Sequence, residues 1–590
     1  MTLKTILALS LCMVCSTTLW AQQKEHVYPV LGSQIKAGSN MTAPGNEKGE
    51  TVRFDIMERG QVPFTQSAVR QTSEAVGYAP KGDVPYFTVR YALPVPPAYT
   101  KTETAALTGI DRGVYHHHHS PGFEILDNGD ALAIYFSSPR GVTENDTAAT
   151  FVQARLRYGS EEWDMPELFF STQGGNDQSG LLWKDNGRLW FFGGGRDMSD
   201  YVPFRIATSD DNGASWTFCI PQFDKRPADF TAQPITNAFR DPKDNIYMAM
   251  DAKGSQSFLW RSNDGGTTWH DMGGRTTGRH STIVPLDDRG TLLSIGGKNA
   301  NVEGWTPQNI SHDWGRTWDA ATPAPFPQLG SGQRPSMIRL QSGALLFVSD
   351  GYLHKHGIAA PDGWNKPYDA FVAISKDNGL TWHYKTLPAG LPMDGRQPYT
   401  SVGYCVARQS PNGIIHVLTT KSSPGLHYEF NEAWLYSDAG DQQPESTGGE
   451  VRTFREYHAN GKLKAAWSAR ICPNGRYLLD GQLTDYYPDG KVQHQAYYQN
   501  GRKTGRELFR NPDGTTRWTW ERSLITSHGK WTLYWPNGKK RIESLWLTNP
   551  QARDAPRHYF GYVADGPAIH YNEEGKAVKT YQFSMGVLEE

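Results

Sequence analysis

The sequence is poor in cysteine: of five residues, Cys12 and Cys15 lie in the first apolar run and Cys219, Cys405 and Cys472 are scattered. An odd, widely spread set argues against a disulfide framework and against a cysteine-built metal site. Long apolar runs are also lacking, since nothing after the opening segment approaches the roughly 18 unbroken apolar residues of a membrane helix. Excess charge of either sign is absent: 59 basic and 61 acidic residues leave a formal net charge of −2. Bulk electrostatics therefore do not call for a nucleic-acid partner.

The opening stretch MTLKTILALSLCMVCSTTLWAQQ has Lys4 near its start, an apolar run from Ile6 to Val14 and Ala21 at a cleavage-like position. It reads as a secretory signal over residues 1–21. Cys12 and Cys15 each follow a bulky residue, Leu11 and Val14, where a lipid-anchored exporter needs a small one. Soluble export, to the periplasm or outside the cell, is the expectation, and the ending Ala-Gln-Gln suggests a bacterial source. Asn145-Asp146-Thr147 would accept a glycan only in a eukaryotic secretory pathway.

What is abundant is aromatic and turn-forming: 19 Trp, 28 Tyr, 60 Gly and 37 Pro. This describes a β-rich, turn-rich chain with aromatic surface of the kind carbohydrate-handling proteins use. Four segments share the pattern S-x-D-x-G-x-[ST]-W: SDDNGASW at 209, SNDGGTTW at 262, SHDWGRTW at 311 and SKDNGLTW at 375. The Asp suits acceptance of backbone N–H bonds in a tight turn, the Gly a conformation other residues resist, and the Trp packing against its own hairpin. Degenerate copies end at Trp163 (RYGSEEW) and Trp434 (HYEFNEAW). The tryptophans at 163, 216, 269, 318, 382 and 434 are spaced by 53, 53, 49, 64 and 52 residues, the size of one four-stranded propeller blade. Six blades fit residues 114 to 440, with a seventh built partly from residues 60 to 113 as the alternative.

On these motifs the stretch from 114 to 440 resembles the sialidase superfamily of Asp-box (BNR) propellers. The fold expected is an all-β propeller; the scaffold alone does not select a function. In such propellers the residues leading into strand one of each blade, and the loops between strands two and three, share the face that holds the active site. The lead-ins read HHHSP (117 to 121), NDQSG (176 to 180), TAQP (231 to 234), GRHS (278 to 281), GQRP (332 to 335) and GRQPY (395 to 399). They bring His118, His119, Gln178, Gln233, Arg279, His280, Arg334, Arg396 and Tyr399 towards one axis. Several arginines on one face suit a carboxylate, because a planar guanidinium offers paired donors to its two oxygens. The alternative use of any one of them is to tie blades together through backbone carbonyls.

The resemblance implies a carboxylate-binding arginine triad, a tyrosine nucleophile with a glutamate partner, and an aspartate acid. Carried onto this chain, the nucleophile is Tyr399 in QPYTSVGY, its partner Glu303 in KNANVEG, and the acid Asp146 or Glu144 in GVTENDT. One position departs: the family opens blade one with R-I-P, and this chain has His119-Ser120-Pro121. Arg205 in VPFRIATSDD has a similar look but runs into an Asp box, so it reads as a structural third-strand residue. A histidine at 119 would either replace the missing arginine or serve as acid or base near neutral pH.

Three functions stay open. The first is an exported sialidase-like glycoside hydrolase acting on a terminal sialic or uronic acid. The second is a propeller-type lyase that cleaves at a uronate, for example a rhamnose-capped glucuronate, with His119 or His118 as base. The third is a glycan-binding propeller without turnover. No cofactor is implied. A metal at the His116–His119 run, completed by His354 or His356, is limited by geometry, because neighbouring residues of an extended segment point to opposite sides.

Residues 22–113 read as a leader with one strand-like stretch, YFTVRYAL at 86 to 93. From 450 onward YHANG, YYPDG, YYQNG, NPDG, YWPNG and YNEEG punctuate short aromatic strands. This part, 450–590, resembles MORN-type repeats in their antitoxin-like variant, and Asn-Gly and Asp-Gly turns predict a β-meander. It would dock a partner or a glycan, or simply extend the structure.

Overall fold

The computed structural model describes residues 68–72, 74–92, 106–110, 114, 117–138, 149–170, 176–195, 203–219, 221–225, 227–330, 333–350, 370–388, 402–420, 425–439, 448–549, 551–555 and 562–589. Among them the architecture is nearly all β: six successive sheets, antiparallel except where Gln222–Lys225 pairs parallel with Thr268–Asp271, form a propeller, and an 11-stranded sheet follows. The first strands of the six blades are His117–Ile125, Gly180–Asp185, Phe230–Arg240, Thr282–Pro285, Ser336–Arg339 and Val406–Gln409. Blade strands are covered on both faces by their neighbours, which is why they read as unbroken apolar runs rather than alternating ones. Ala131–Ser138, the second strand of blade one, is buried throughout. Its Leu132, Ile134 and Phe136 pack against Leu182, Leu189 and Phe191 of blade two.

The four Asp boxes form the turns between third and fourth strands. Asp211, Asp264, Asp313 and Asp377 accept the backbone N–H of Ser215, Thr268, Thr317 and Thr381 at 2.8–2.9 Å. Gly213, Gly266, Gly315 and Gly379 all have positive φ. The indoles of Trp269 and Trp382 donate back to the carbonyls of Gly266 and Gly379. Asp313 also accepts the hydroxyls of Ser311 and Thr317. Asp313→Ala is therefore expected to cost about 1–3 kcal/mol in denaturant unfolding, because it strands several donors of one turn while leaving the blade core intact.

The stretch predicted around 86 to 93 forms a strand, Phe87–Tyr91, and it pairs antiparallel with Leu426–Phe430 as the outermost strand of blade six. It completes blade six instead of starting a seventh, so the ring is closed by chain from both sides. Phe87 stacks on Trp434 with centroids 4.7 Å apart. Trp434 lies in a one-turn helix, Glu432–Leu435, capped by Asn431, not in an Asp-box turn. Blade six thus takes its fourth strand from the leader, and no box is needed there.

The C-terminal sheet runs in strict sequence order from Glu450–Tyr457 to Val587–Leu588. Its Trp467, Trp520 and Trp531 are fully buried. It docks on blade one through the segment after the third strand: Leu479 donates to the Gly159 carbonyl and Glu161 to the Gly501 carbonyl, both at 2.8 Å. Tyr158 and Tyr477 stack with centroids 5.1 Å apart.

Candidate active site

At the entry to the first strand of five blades, just before it or within its first residues, the chain takes one residue in the left-handed region: Ser120 (φ 51°), Ser179 (58°), Ala232 (52°), His280 (58°) and Gly403 (59°). That conformation is uncommon for residues other than glycine, and its recurrence at equivalent positions marks a shared turn towards the axis. A second device repeats at the ends of second strands. Asp251 of blade three accepts the backbone N–H of His280 at 2.7 Å, and Asp350 of blade five accepts that of Val402 at 2.7 Å. Each carboxylate staples its blade to the lead-in of the next.

These devices converge on Tyr404. Its backbone is held in a parallel bridge to Arg334, and its hydroxyl meets His280 Nε2 at 2.9 Å and Lys298 Nζ at 2.5 Å. His280 Nδ1 sits 2.6 Å from Asp251 Oδ2. Because that nitrogen faces a carboxylate it carries the ring proton, which leaves Nε2 as the acceptor of the Tyr404 O–H. Burial pulls the His280 imidazole down to about 4, against the pull of Asp251, so the ring is neutral at physiological pH. Burial alone would raise the Asp251 carboxyl, but His280 and Arg279 outweigh it and hold the group below the usual carboxylate range. The result is a chain of carboxylate, imidazole and phenol, the arrangement that activates a hydroxyl nucleophile.

The histidine run lies where the lead-in pattern predicts, and its members alternate sides. His117 and His119 share one side, with ring centroids 5.8 Å apart, while His118 packs against Tyr135. His119 is 1 % exposed and lies 3.9 Å from the Tyr404 ring, centroid to centroid. Thr420 donates its hydroxyl to the Tyr404 carbonyl and faces His119 Nδ1 at 3.3 Å. The Thr420 hydrogen being engaged, His119 donates from Nδ1 and keeps its lone pair on Nε2.

The other lead-in residues divide by use. Arg279 donates to Gln233 Oε1 at 2.6 Å and lies 3.2 Å from Asp251; at 26 % exposure it is the axial arginine open to solvent among the described residues. Arg334 is 1 % exposed and donates to Ser120 Oγ and the Pro121 carbonyl, across the axis on blade one, with its guanidinium over the Tyr404 ring. Burial lowers its pKa. This is the blade-tying use of an arginine, and it falls on the residues that stand where the family has its R-I-P. Gln178 is buried beside Gly194. Arg205 opens the third strand of blade two and binds Asp177 at 2.7 Å and the Gly194 carbonyl. Glu303 is exposed in the hairpin after the second strand of blade four, and no hydrogen bond joins it to Tyr404. Tyr399, Arg396, Asp146, Glu144, His116, His354 and His356 lie outside the described residues.

Tyr404, Lys298 and Asp251 escaped the reading of the sequence. The signal for Tyr404 was present: the turn glycines Gly129, Gly290 and Gly413 stand ten residues after His119, His280 and Gly403. Counting back from Asn412-Gly413 places the blade-six lead-in at Gly403-Tyr404 rather than at GRQPY.

A second histidine group lies away from the axis. His416 Nδ1 and His427 Nε2 are 3.0 Å apart, Glu429 lies 3.6 Å from His416, and the three have metal-like spacing. Arg90 argues against an ion there. Its guanidinium binds Glu429 in a forked ion pair and points at His427 Nδ1 at 3.3 Å. His427 must accept on that nitrogen, so its Nε2 carries a proton and donates to His416. The proton occupies the position a metal would need. Burial keeps both rings neutral, His416 down to about 4 and His427 well below its ordinary value.

The BNR repeat-like domain family matches residues 129–417, and the MORN repeat variant matches residues 479–500 and 527–547. No curated protein matches the chain. Similar solved structures include a Hadza microbial sialidase, 15% identical over 53% of this chain and 65% of that one, with a TM-score of 0.41. The chain thus spans just under two thirds of that sialidase. The NanB sialidase of Streptococcus pneumoniae is 12% identical over 58% of this chain and 70% of its own, with a TM-score of 0.40. A Dyadobacter fermentans protein of unknown function is 16% identical over 58% and 99%, also at 0.40. These likenesses concern the fold alone; the six blades rest on the strand pairing above. Residues 129–417 are a BNR repeat-like domain, carried in a six-bladed propeller and followed by a sheet of MORN-variant repeats.

Proposed function

We propose that the chain is an exported glycoside hydrolase that removes a terminal anionic sugar, sialic or uronic acid, from glycans, with Tyr404 as nucleophile. The observation that carries this reading is the chain Asp251–His280–Tyr404 at the propeller axis. A neutral phenol approaches a carbon beside a carboxylate without the repulsion that a carboxylate nucleophile would meet. As Tyr404 Oη bonds to the anomeric carbon its proton passes to His280 Nε2, and Asp251 stabilises the imidazolium. The glycosidic oxygen leaves with a proton, a role that the resemblance gives to Asp146. Water then attacks the same carbon and gives its proton to the carboxylate that protonated the leaving oxygen, while His280 returns its proton to Tyr404 Oη, which is released as a phenol with the configuration retained. Arg279, fixed by Asp251 and Gln233, is the described guanidinium that reaches a substrate carboxylate.

A second reading is a uronate lyase. It is favoured by two nitrogen atoms, His280 Nε2 and Lys298 Nζ, meeting the Tyr404 oxygen. There His119 Nε2, with its lone pair, would take the proton beside the uronate carboxylate, and the Tyr404 hydroxyl would give its proton to the leaving oxygen. The two readings differ in product. On a panel of sialosides and uronate-capped glycans, hydrolysis releases sugar without new ultraviolet absorbance, whereas elimination creates an absorbing C=C beside the carboxylate. Release without absorbance is the expected result; absorbance rising with release selects the lyase, and neither signal with bound glycan leaves a binding propeller.

A further inference from the structure

We propose that Lys298 is the positioning residue that sets the protonation of Tyr404, by placing its ammonium on the phenol oxygen opposite His280. The inference rests on the reading of Tyr404 as the reacting group and goes beyond it, because it assigns what holds that group ready.

The placement follows from blade four itself. Arg279 and Lys298 form an isolated antiparallel bridge, each N–H donating to the other's carbonyl at 3.1 and 2.7 Å. The residues before them, Gly278 (φ 93°) and Gly297 (φ 121°), meet backbone to backbone: a Cβ on Gly297 would come within 2.5 Å of Gly278 Cα, and one on Gly278 within 2.6 Å of Gly297 Cα. Only glycine allows this approach. The bridge brings the lead-in of strand one and the end of strand two so close that His280 and Lys298, one from each, reach the same oxygen.

The charged and titratable groups around Tyr404 come from four blades. His119 faces its ring from blade one, His280 its hydroxyl from blade four with Asp251 of blade three behind it, and Arg334 its ring face from blade five. Asp350 of blade five is turned to Gln333 and the Val402 N–H. Of the cations, Arg334 lies 5.1 Å from the ring centroid with hydrogen bonds to Ser120 and Pro121, and Lys298 donates to the oxygen itself at 2.5 Å. A cation at hydrogen-bond distance favours the charged form of an acid by about one to three pH units. As the Tyr404 proton moves to His280, the negative charge appears on the oxygen that Lys298 already contacts, and the positive charge beside Asp251, so neither is created alone.

The test reads the tyrosine directly. Carbon NMR of protein labelled at the tyrosine ring, with the Tyr404→Phe spectrum to identify the signal, gives the titration of Tyr404 without any substrate. In Lys298→Met that titration is expected to move up by about one to three pH units, whereas Lys298→Arg, which keeps the charge, is expected to stay within half of that displacement. Because the neutral phenol is the reacting form, the alkaline limb of kcat/KM on an active glycan should move in the same sense. An unchanged Tyr404 titration in a Lys298→Met protein that unfolds like the wild type would overturn the inference. Should Lys298→Met fail to fold, a Lys298→Arg titration displaced as far as that of a His280→Gln protein would equally overturn it. The NMR result stands whether or not any glycan is turned over, so failure of the proposed activity and failure of the Lys298 assignment are read separately.

Discussion

If the proposed hydrolysis holds, Tyr404→Phe is expected to reduce kcat on an anionic glycan by about 10⁴-fold or more, the scale on which removing a nucleophile acts. The substitution removes one oxygen and keeps the ring, so the contacts with His119 at 3.9 Å and with Arg334 are retained. His280→Ala should cost nearly as much, and the double variant little more than either single one, because the three groups act as a unit. The measurement is single-turnover and steady-state kinetics on the four proteins, with a fluorinated sugar as a trap for the covalent intermediate. An adduct on the peptide containing Tyr404 supports the nucleophile. An adduct on Tyr399 with an active Tyr404→Phe protein would return the role to the residue five positions earlier. Asp251→Asn has two consequences at one position: it removes the charge that stabilises imidazolium and loosens the staple to the His280 N–H. Its kinetic effect should therefore be accompanied by a lower melting temperature, and that of Tyr404→Phe should not.

The fold was legible because its determinants are local. Each Asp box needs an Asp, a Gly and a Trp within eight residues, and each builds its own turn whatever surrounds it. The boxes count blades, and the hairpin glycines set the register of strands one and two. Blade six was harder because its outer strand, Phe87–Tyr91, comes from the far end of the chain, and pairing over more than three hundred residues leaves no spacing to read. The site was half legible for the same reason. His119, Gln178, Gln233, Arg279, His280 and Arg334 precede strands whose starts show in the apolar pattern. Tyr404 hides five residues beyond a better-looking tyrosine, and Lys298 and Asp251 sit at the ends of second strands, where only a contact across blades gives them a part. The partners of a lead-in arginine are likewise set by reach: Arg279 binds Gln233 and Asp251 of blade three and stays partly exposed, and Arg334 crosses to Pro121 of blade one.

Glu507→Ala is expected to destabilise the full chain by about 3–5 kcal/mol, the scale of removing one partner from a buried ionic group. Glu507 is enclosed with three cations: Arg522, Lys503 at 3.3 Å and His494 Nε2 at 2.9 Å. Lys503 also binds Asp164 of blade one, which in turn binds Arg157, so the network joins the C-terminal sheet to the propeller. Without the carboxylate, Lys503 shares one acid with Arg157, and Arg522 is left with the Tyr562 hydroxyl, the faces of Trp520 and Tyr562, and the charge of Glu162. The loss should appear in thermal unfolding and as faster proteolysis at the junction. The network also fixes the sign of a pH effect. Both nitrogens of His494 face carboxylates, Asp485 at 3.1 Å and Glu507, so the ring is held doubly protonated. Burial opposes that charge, but the two hydrogen bonds outweigh it and the His494 pKa is raised. A histidine whose folded value lies above the unfolded one of about 6.5 contributes fully below that pH, and the contribution is lost as pH rises through the folded value. Asp164 and Glu507 are lowered despite burial, through Lys503 and their other cations, so their contribution is present above about pH 4 and is lost in acid. The junction should hold best between these limits. Glu507→Ala should flatten both sides of the profile, the acid side because its own lowered carboxyl no longer titrates and the alkaline side because one of the two carboxylates that keep His494 charged is gone.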